Sequence, residues 1–216
     1  MKYKYILFDL DGTLTDSGEG IINCVKYTLE HFNIPIPDYE TLKTFVGPPL
    51  EKQFQIMYGF SEEKSLEAMR LYRERFSVKG IFENSVYEGI PQTLDLLSKQ
   101  GYTLAVATSK PEIFTIRILD HFNLSNYFSA LAGSEMDGRR TDKQEVIEET
   151  LSRLGNPDKS QVIMVGDRIY DVAAAKSIGI DVIGVTYGYA SEGELEKACP
   201  SYFAKNPEDI AKIVSE

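Results

Sequence analysis

Short unbroken apolar runs alternate along this chain with segments whose apolar residues recur at helical spacing. Residues 5–8, 104–107, 127–131, 162–165 and 182–185 form the runs. Strands that are apolar on both faces, without alternation, belong in a parallel sheet covered by helices on each side. Between them, Ile90, Leu94 and Leu97 make one helical stripe, and Val146, Ile147, Leu151 and Leu154 make another. Gly101 and Gly155 stand where those helices should stop, and Thr141 with Gln144 has the form of a capping box before the second. Ser191 with Glu194 repeats that form further on. The alternation from about residue 88 onward predicts an α/β fold with a doubly wound, mostly parallel sheet, a Rossmann-like core.

Residues 16–87 break the rhythm. Ile21, Ile22, Val25 and Leu29 predict one helix, and Leu66, Met69, Leu71 and Tyr72 belong to another, with Pro35, Pro37, Pro48 and Pro49 at the turns. No strand is evident in that stretch. It reads as an inserted helical cap domain, leaving 1–15 and 88–216 as the catalytic core.

Composition narrows the class of partner. The 216 residues carry a formal net charge of -10, and 43% are hydrophobic, enough for a real core. So acidic a surface repels nucleic-acid phosphates, so no nucleic-acid partner is expected. The apolar run before Asp9 is too short for a signal-peptide core or a membrane span, so no membrane partner is expected either. Cys24 and Cys199 form no CxxC pair, which fits a reducing, cytoplasmic setting. Nothing in the acidic surface demands a dimer, and a monomer or weak dimer is expected.

In open α/β sheets ligands bind beyond the carboxyl ends of the strands. There the chain places Asp9-Leu10-Asp11-Gly12-Thr13, then Thr108-Ser109-Lys110-Pro111, then Gly166-Asp167 through Asp171, with Lys143 opening the intervening helix. Asp9 and Asp11 are two apart, on one side of a continuing strand. Asp167 and Asp171 are four apart, neighbours on one helical face. Four carboxylates without a nearby His or Cys make an oxygen-rich site suited to a hard cation such as Mg²⁺. Thr108 and Lys143 add a hydroxyl and a compact positive charge of use to a transferring phosphoryl group.

Those four segments, in that order, resemble the four motifs of the haloacid dehalogenase-like superfamily: DxDGT at Asp9, the threonine at Thr108, the lysine at Lys143, and GDxxxD from Gly166 to Asp171. The helical insert resembles a C1 cap. Val46-Gly47-Pro48-Pro49-Leu50 and Thr108-Ser109-Lys110-Pro111 are similar to the phosphoglycolate phosphatase-like branch. The Lys-Pro-x-Pro form of the third motif, common there, is replaced by Asp142-Lys143-Gln144-Glu145.

The resemblance implies a Mg²⁺-dependent phosphatase acting on a small phosphate ester, of the phosphoglycolate or nucleoside 5'-monophosphate type. Asp9 would be nucleophile, forming an aspartyl-phosphate, and Asp11 general acid and base. Thr108, Ser109 and Lys143 would bind the phosphate. The metal would be held by Asp9, Asp167 and the main-chain carbonyl of Asp11, with Asp171 binding through water or orienting Asp167. A sugar phosphomutase of the beta-phosphoglucomutase type shares this core and stays open. A non-catalytic regulator is disfavoured because all four carboxylates are present. Arg139 and Arg140 greet an anionic substrate or decorate a solvated loop, and Tyr187 and Tyr189 face substrate or pack.

Overall fold

The computed structural model describes residues 2–215; Met1 and Glu216, the outer limits of the expected core, lie outside the described residues. The chain divides into two compact units, Met1–Thr15 with Val86–Glu216, and Asp16–Ser85.

In the first unit the sequence runs β1 (Tyr5–Phe8), then, beyond the helical unit, α5 (Ile90–Lys99), β4 (Thr103–Pro111), α6 (Glu112–His121), β5 (Phe128–Ser134) and α7 (Lys143–Arg153). It continues through β6 (Val162–Gly166), α8 (Ile169–Ile178), β7 (Asp181–Val185), α9 (Glu194–Ala198), β8 (Tyr202–Ala204) and α10 (Pro207–Ser215). Numbers β2, β3 and α1–α4 belong to the two crossings and the helical unit described below. Six strands form one sheet in the order β5-β4-β1-β6-β7-β8, every pair parallel. From β1 the chain builds outward through β4 and β5, then returns to β6 on the other side. That reversal puts the topological switch point at β1, where a doubly wound sheet opens a crevice at its carboxyl end.

The five expected strands are present, and their continuous apolarity has its cause in burial. Ile6, Leu7 and Phe8 are fully buried, as are Val162 through Val165. One face of the sheet packs Leu7, Ala105, Val162 and Met164 against Val146, Ile147 and Leu151 of α7 and Val172 and Ala175 of α8. Two boundaries differ from expectation. Asp142, not Thr141, caps α7, its carboxylate accepting from the Gln144 N–H. The α9 cap is Gly193, while the Glu194 carboxylate accepts from the Ser191 N–H and also from Ile169 N–H and Arg168, tying α9 to the start of α8.

The second unit holds α1 (Gly18–His31), α2 (Tyr39–Lys43), α3 (Leu50–Tyr58), α4 (Glu62–Arg75) and a π-helical turn, Phe76–Gly80. The chain passes between the units through β2 (Thr15–Asp16) and β3 (Ser85–Val86), which pair with each other. Ile21, Ile22, Val25 and Leu29 of α1 are buried as their spacing predicts. In α4 the buried face is Ser65, Ala68, Leu71 and Tyr72. Leu66, expected in that core, is 55% exposed, because the stripe turns inward one residue before it. An aromatic cluster seals the other side, with Phe54 stacked on Phe60 at 5.9 Å and tilted on Phe45 at 5.2 Å. Gly20 allows α1 to meet the π-turn closely: a Cβ there would lie 2.0 Å from the Gly80 carbonyl oxygen.

Candidate active site

Asp9 follows β1 directly, its N–H donating to the Val165 carbonyl of β6 at 2.9 Å, so the nucleophile candidate is anchored to the neighbouring strand. Asp167 follows β6, and Asp171 lies in the first turn of α8. Asp9, Asp167 and Asp171 are buried, and one carboxylate oxygen from each lies within 4.8 Å of the others. Lys143, the first residue of α7, puts its ammonium 2.9 Å from Asp9 Oδ1 and 2.9 Å from Asp171 Oδ1, and 3.3 Å from the Ala107 carbonyl. Thr108, buried on β4, hydrogen-bonds Asp9.

Three buried carboxylates thus lie together with one buried ammonium, which contacts Asp9 and Asp171, and the imbalance is visible in the titration of Asp9 and Asp167. Burial pushes Asp9 up to about 6, with Asp171 adding to the rise and Lys143 opposing it. Asp167 is held well above the ordinary carboxylate range, first by burial and then by Asp171 and Asp9. Burial alone would lower Lys143; the charges of Asp171 and Asp9 instead hold its ammonium above the usual value. Asp167 Oδ1 is buried without a hydrogen-bond partner, and Asp171 Oδ1 meets the Lys143 ammonium. An orphaned carboxylate oxygen costs a folded protein several times an ordinary hydrogen bond. Surplus negative charge, unspent oxygen lone pairs and no nitrogen or sulfur donor together fit a hard divalent cation.

The surroundings hold the acids in place. The Asp171 carboxylate accepts from the Arg168 N–H at 3.1 Å, capping its own helix. Asp167 Oδ2 accepts from the Tyr189 N–H at 2.7 Å. Around it the backbone closes so tightly that a Cβ on Gly12 would lie 2.1 Å from Asp167 Oδ2, and one on Gly188 2.4 Å from both Asp167 Cβ and the Gly12 carbonyl. The Tyr187 hydroxyl donates to the Thr13 carbonyl at 2.9 Å, and its ring meets Tyr87 edge-on at 4.9 Å. Both tyrosines therefore make internal contacts, Tyr189 through its backbone.

Asp11 behaves differently from the other three. Its carboxylate accepts from Lys110 Nζ at 3.0 and 2.8 Å and is not among the three that converge, Asp9, Asp167 and Asp171. Lys110 was not singled out in the sequence, although a signal exists. Thr108 and Lys110 are buried with the more exposed Ser109 between them, an alternation that continues β4 past its apolar run. Arg139 pairs with Glu135 and Asp137, and Arg140 with Glu135 and Glu149, so these cations are engaged by acids. In the helical unit a cavity of about 320 Å³ is lined by Asp16, Glu19, Asn23, Lys26, Tyr39 and Asn84 among others. Both amide atoms of Asn84 are buried there without a partner. Among the described residues no helix is long and apolar enough to cross a membrane.

Comparison with known proteins puts names beside this geometry. A family model described as haloacid dehalogenase-like hydrolase matches residues 6–185. A 5'-nucleotidase of Pseudomonas aeruginosa is 45% identical over 214 residues, 99% of this chain and 96% of that one. The tyrosine-protein kinase PtkA of Mycobacterium tuberculosis is 39% identical over 194 residues, 90% of this chain and 66% of that one. A crystal structure of a predicted phosphatase from Clostridium acetobutylicum superimposes with a TM-score of 0.95 at 45% identity, covering 100% of each chain.

Proposed function

The chain belongs to the haloacid dehalogenase-like hydrolases, and on that footing we propose that it is a Mg²⁺-dependent phosphatase that hydrolyses a small phosphomonoester through an aspartyl-phosphate on Asp9. One observation carries the reading: a buried carboxylate, touched by a buried lysine and a threonine hydroxyl, stands beside two further buried carboxylates, one of which, Asp167, keeps an oxygen without a hydrogen-bond partner. A carboxylate at about 6 is largely ionised at neutral pH, so Asp9 needs no separate base. Its oxygen attacks phosphorus, the ester P–O bond breaks, and Asp11 protonates the departing oxygen. Asp11 then takes a proton from water, whose oxygen attacks the aspartyl-phosphate; the bond from phosphorus to the Asp9 oxygen breaks and inorganic phosphate leaves. Thr108, Ser109 and Lys143 bind the equatorial phosphate oxygens. Asp9, Asp167 and the Asp11 carbonyl are assigned to the metal, with Asp171 orienting Asp167 or binding through water. Mg²⁺ so held would neutralise the charge that phosphate brings to three acids.

Residues 16–87 are assigned the role of a cap over the core formed by 1–15 and 88–216. The cap is taken to discriminate leaving groups through its segment 47–50. The name of the pseudomonad relative favours a nucleoside 5'-monophosphate; the segments at Val46–Leu50 and Thr108–Pro111 favour phosphoglycolate. A sugar phosphomutase remains the rival reading, since it differs only in what meets the intermediate.

Phosphate release from a panel of nucleotides, phosphoglycolate and hexose phosphates, with Mg²⁺ and with EDTA, tests the reading. Metal-dependent release that vanishes in Asp9→Asn is expected. Isomerisation of a hexose phosphate with little phosphate released would transfer the assignment to the mutase, and full turnover in clean Asp9→Asn would remove the nucleophile.

A further inference from the structure

Lys110 has no part in the reading above, yet its side chain is only 5% exposed and its ammonium grips both oxygens of Asp11, at 3.0 and 2.8 Å. A lysine at the end of a strand ordinarily extends its stem and keeps its charge in water. Burying the charge is costly and is offset only by a well-formed partner. Here the partner is the carboxyl that the proposed reaction needs as proton donor.

The backbone explains how the contact arises. β4 lies next to β1, with Phe8 opposite Val106. The pairing of β4 with β5 slips between Ala107 and Pro111, and this irregular stretch carries Thr108 and Lys110. Two-residue strand periodicity turns both side chains the same way. One therefore touches Asp9 and the other Asp11. The Lys110 N–H also donates to the Thr108 hydroxyl at 3.3 Å, so the two are held as a unit.

We infer that Lys110 is a positioning residue for the leaving-group step: its bidentate contact holds the Asp11 carboxyl in the orientation from which the proton reaches the ester oxygen. The inference rests on the assignment of Asp11 made under the proposed function. In that step the electron pair of the breaking P–O bond goes to the leaving oxygen, which takes the Asp11 proton; Lys110 keeps its own protons throughout.

The test compares two esters that differ in how much they need that proton. An alkyl ester, the one the wild type prefers in the panel, leaves as a strong base and depends on protonation. p-Nitrophenyl phosphate leaves as a stable anion and does not. The quantity to follow is kcat/KM, because it reports only steps up to departure of the leaving group and excludes hydrolysis of the intermediate. Lys110→Met keeps the stem and removes the charge. It is expected to lower kcat/KM about a hundredfold on the alkyl ester, the usual scale of general acid catalysis, and by no more than about threefold on the aryl ester. Lys110→Arg, which restores a cation, should recover part of the alkyl-ester rate. Loss by the same factor on both esters, or on neither, overturns the inference. If Lys110→Met does not fold, the ratio of the two esters in Lys110→Arg decides, since a displaced cation lowers it about tenfold and an unchanged ratio counts against the assignment. Asp9→Asn, measured alongside, separates the two levels. Turnover surviving there overturns the phosphatase reading and this inference together, whereas an unselective Lys110 variant overturns the inference alone.

Discussion

The backbone N–H of Tyr189 donates to Asp167 Oδ2 across 2.7 Å, binding the loop after β7 to the acid after β6. That contact needs the residue before it to be glycine. A Cβ on Gly188 would lie 2.4 Å from Asp167 Cβ and 2.4 Å from the Gly12 carbonyl, distances no side-chain carbon tolerates. Gly188→Ala is expected to push the loop off Asp167, costing about 1–3 kcal/mol of stability. Mg²⁺ affinity should fall about tenfold to a hundredfold as the acid loses its support. Thermal unfolding with and without metal, together with a Mg²⁺ titration, reads both effects.

Asp167→Asn should do opposite things to stability and activity. Burial and two neighbouring acids penalise the ionised form, so the amide relieves strain while keeping an acceptor for Tyr189. Metal-free Asp167→Asn is expected to melt a few degrees above metal-free wild type, since each kcal/mol moves a chain of this size by about 2–4 °C. Turnover should be lost. A lower midpoint for the variant would show that the acid is stabilised by something other than its protonation.

The same gain carries a pH signature. A group whose folded-state pKa is raised stabilises the fold below its unfolded value, and that contribution is lost as pH rises through the folded value. For Asp9 the window opens near the ordinary carboxylate value and closes around 6; for Asp167 it extends higher. The stabilisation by Asp167→Asn should accordingly be absent near pH 4 and develop as pH rises toward 7. Midpoints of both proteins in EDTA across that range check it, a pH-independent difference being the contrary result.

Lys143→Met removes the cation that contacts both Asp9 and Asp171. Stripping one partner from a buried ion pair costs about 3–5 kcal/mol, and here two acids lose it at once. The variant should be inactive and strongly destabilised without metal, and Mg²⁺ should recover part of the loss. A midpoint within a degree of wild type in EDTA would contradict the shared-ammonium picture.

Much of the core was legible because its central strands are apolar on both faces. The runs at β1, β6 and β7 coincide closely with residues 5–8, 162–165 and 182–185. β8 escaped notice for the converse reason: an edge strand of three residues, half wetted at Phe203, has no unbroken run to show. β2 and β3, two residues each, lie below any periodic signal. The acids of the site were found by their place after the strands. Lys110 was missed because β4 appeared to end with its apolar residues at Ala107, whereas it continues to Pro111 as a polar strand. Arg139 and Arg140 were left between an anionic substrate and a solvated loop, since their engagement by Glu135, Asp137 and Glu149 depends on a loop path that residue types do not encode.

The position of β1 within the sheet has a consequence for how the enzyme comes into being. Tyr5 pairs with Thr103 on one side and Val162 on the other, and Asp9 waits for Val165 to receive its N–H. On a ribosome, which delivers the chain from its amino end, β1 is made before either strand it pairs with, and its second partner, β6, follows only after β4 and β5. Lys143, Asp167 and Asp171 also follow β1 in the chain, so Asp9, the nucleophile of the proposed reaction, gains the lysine and the two acids beside it only once that later stretch has been made.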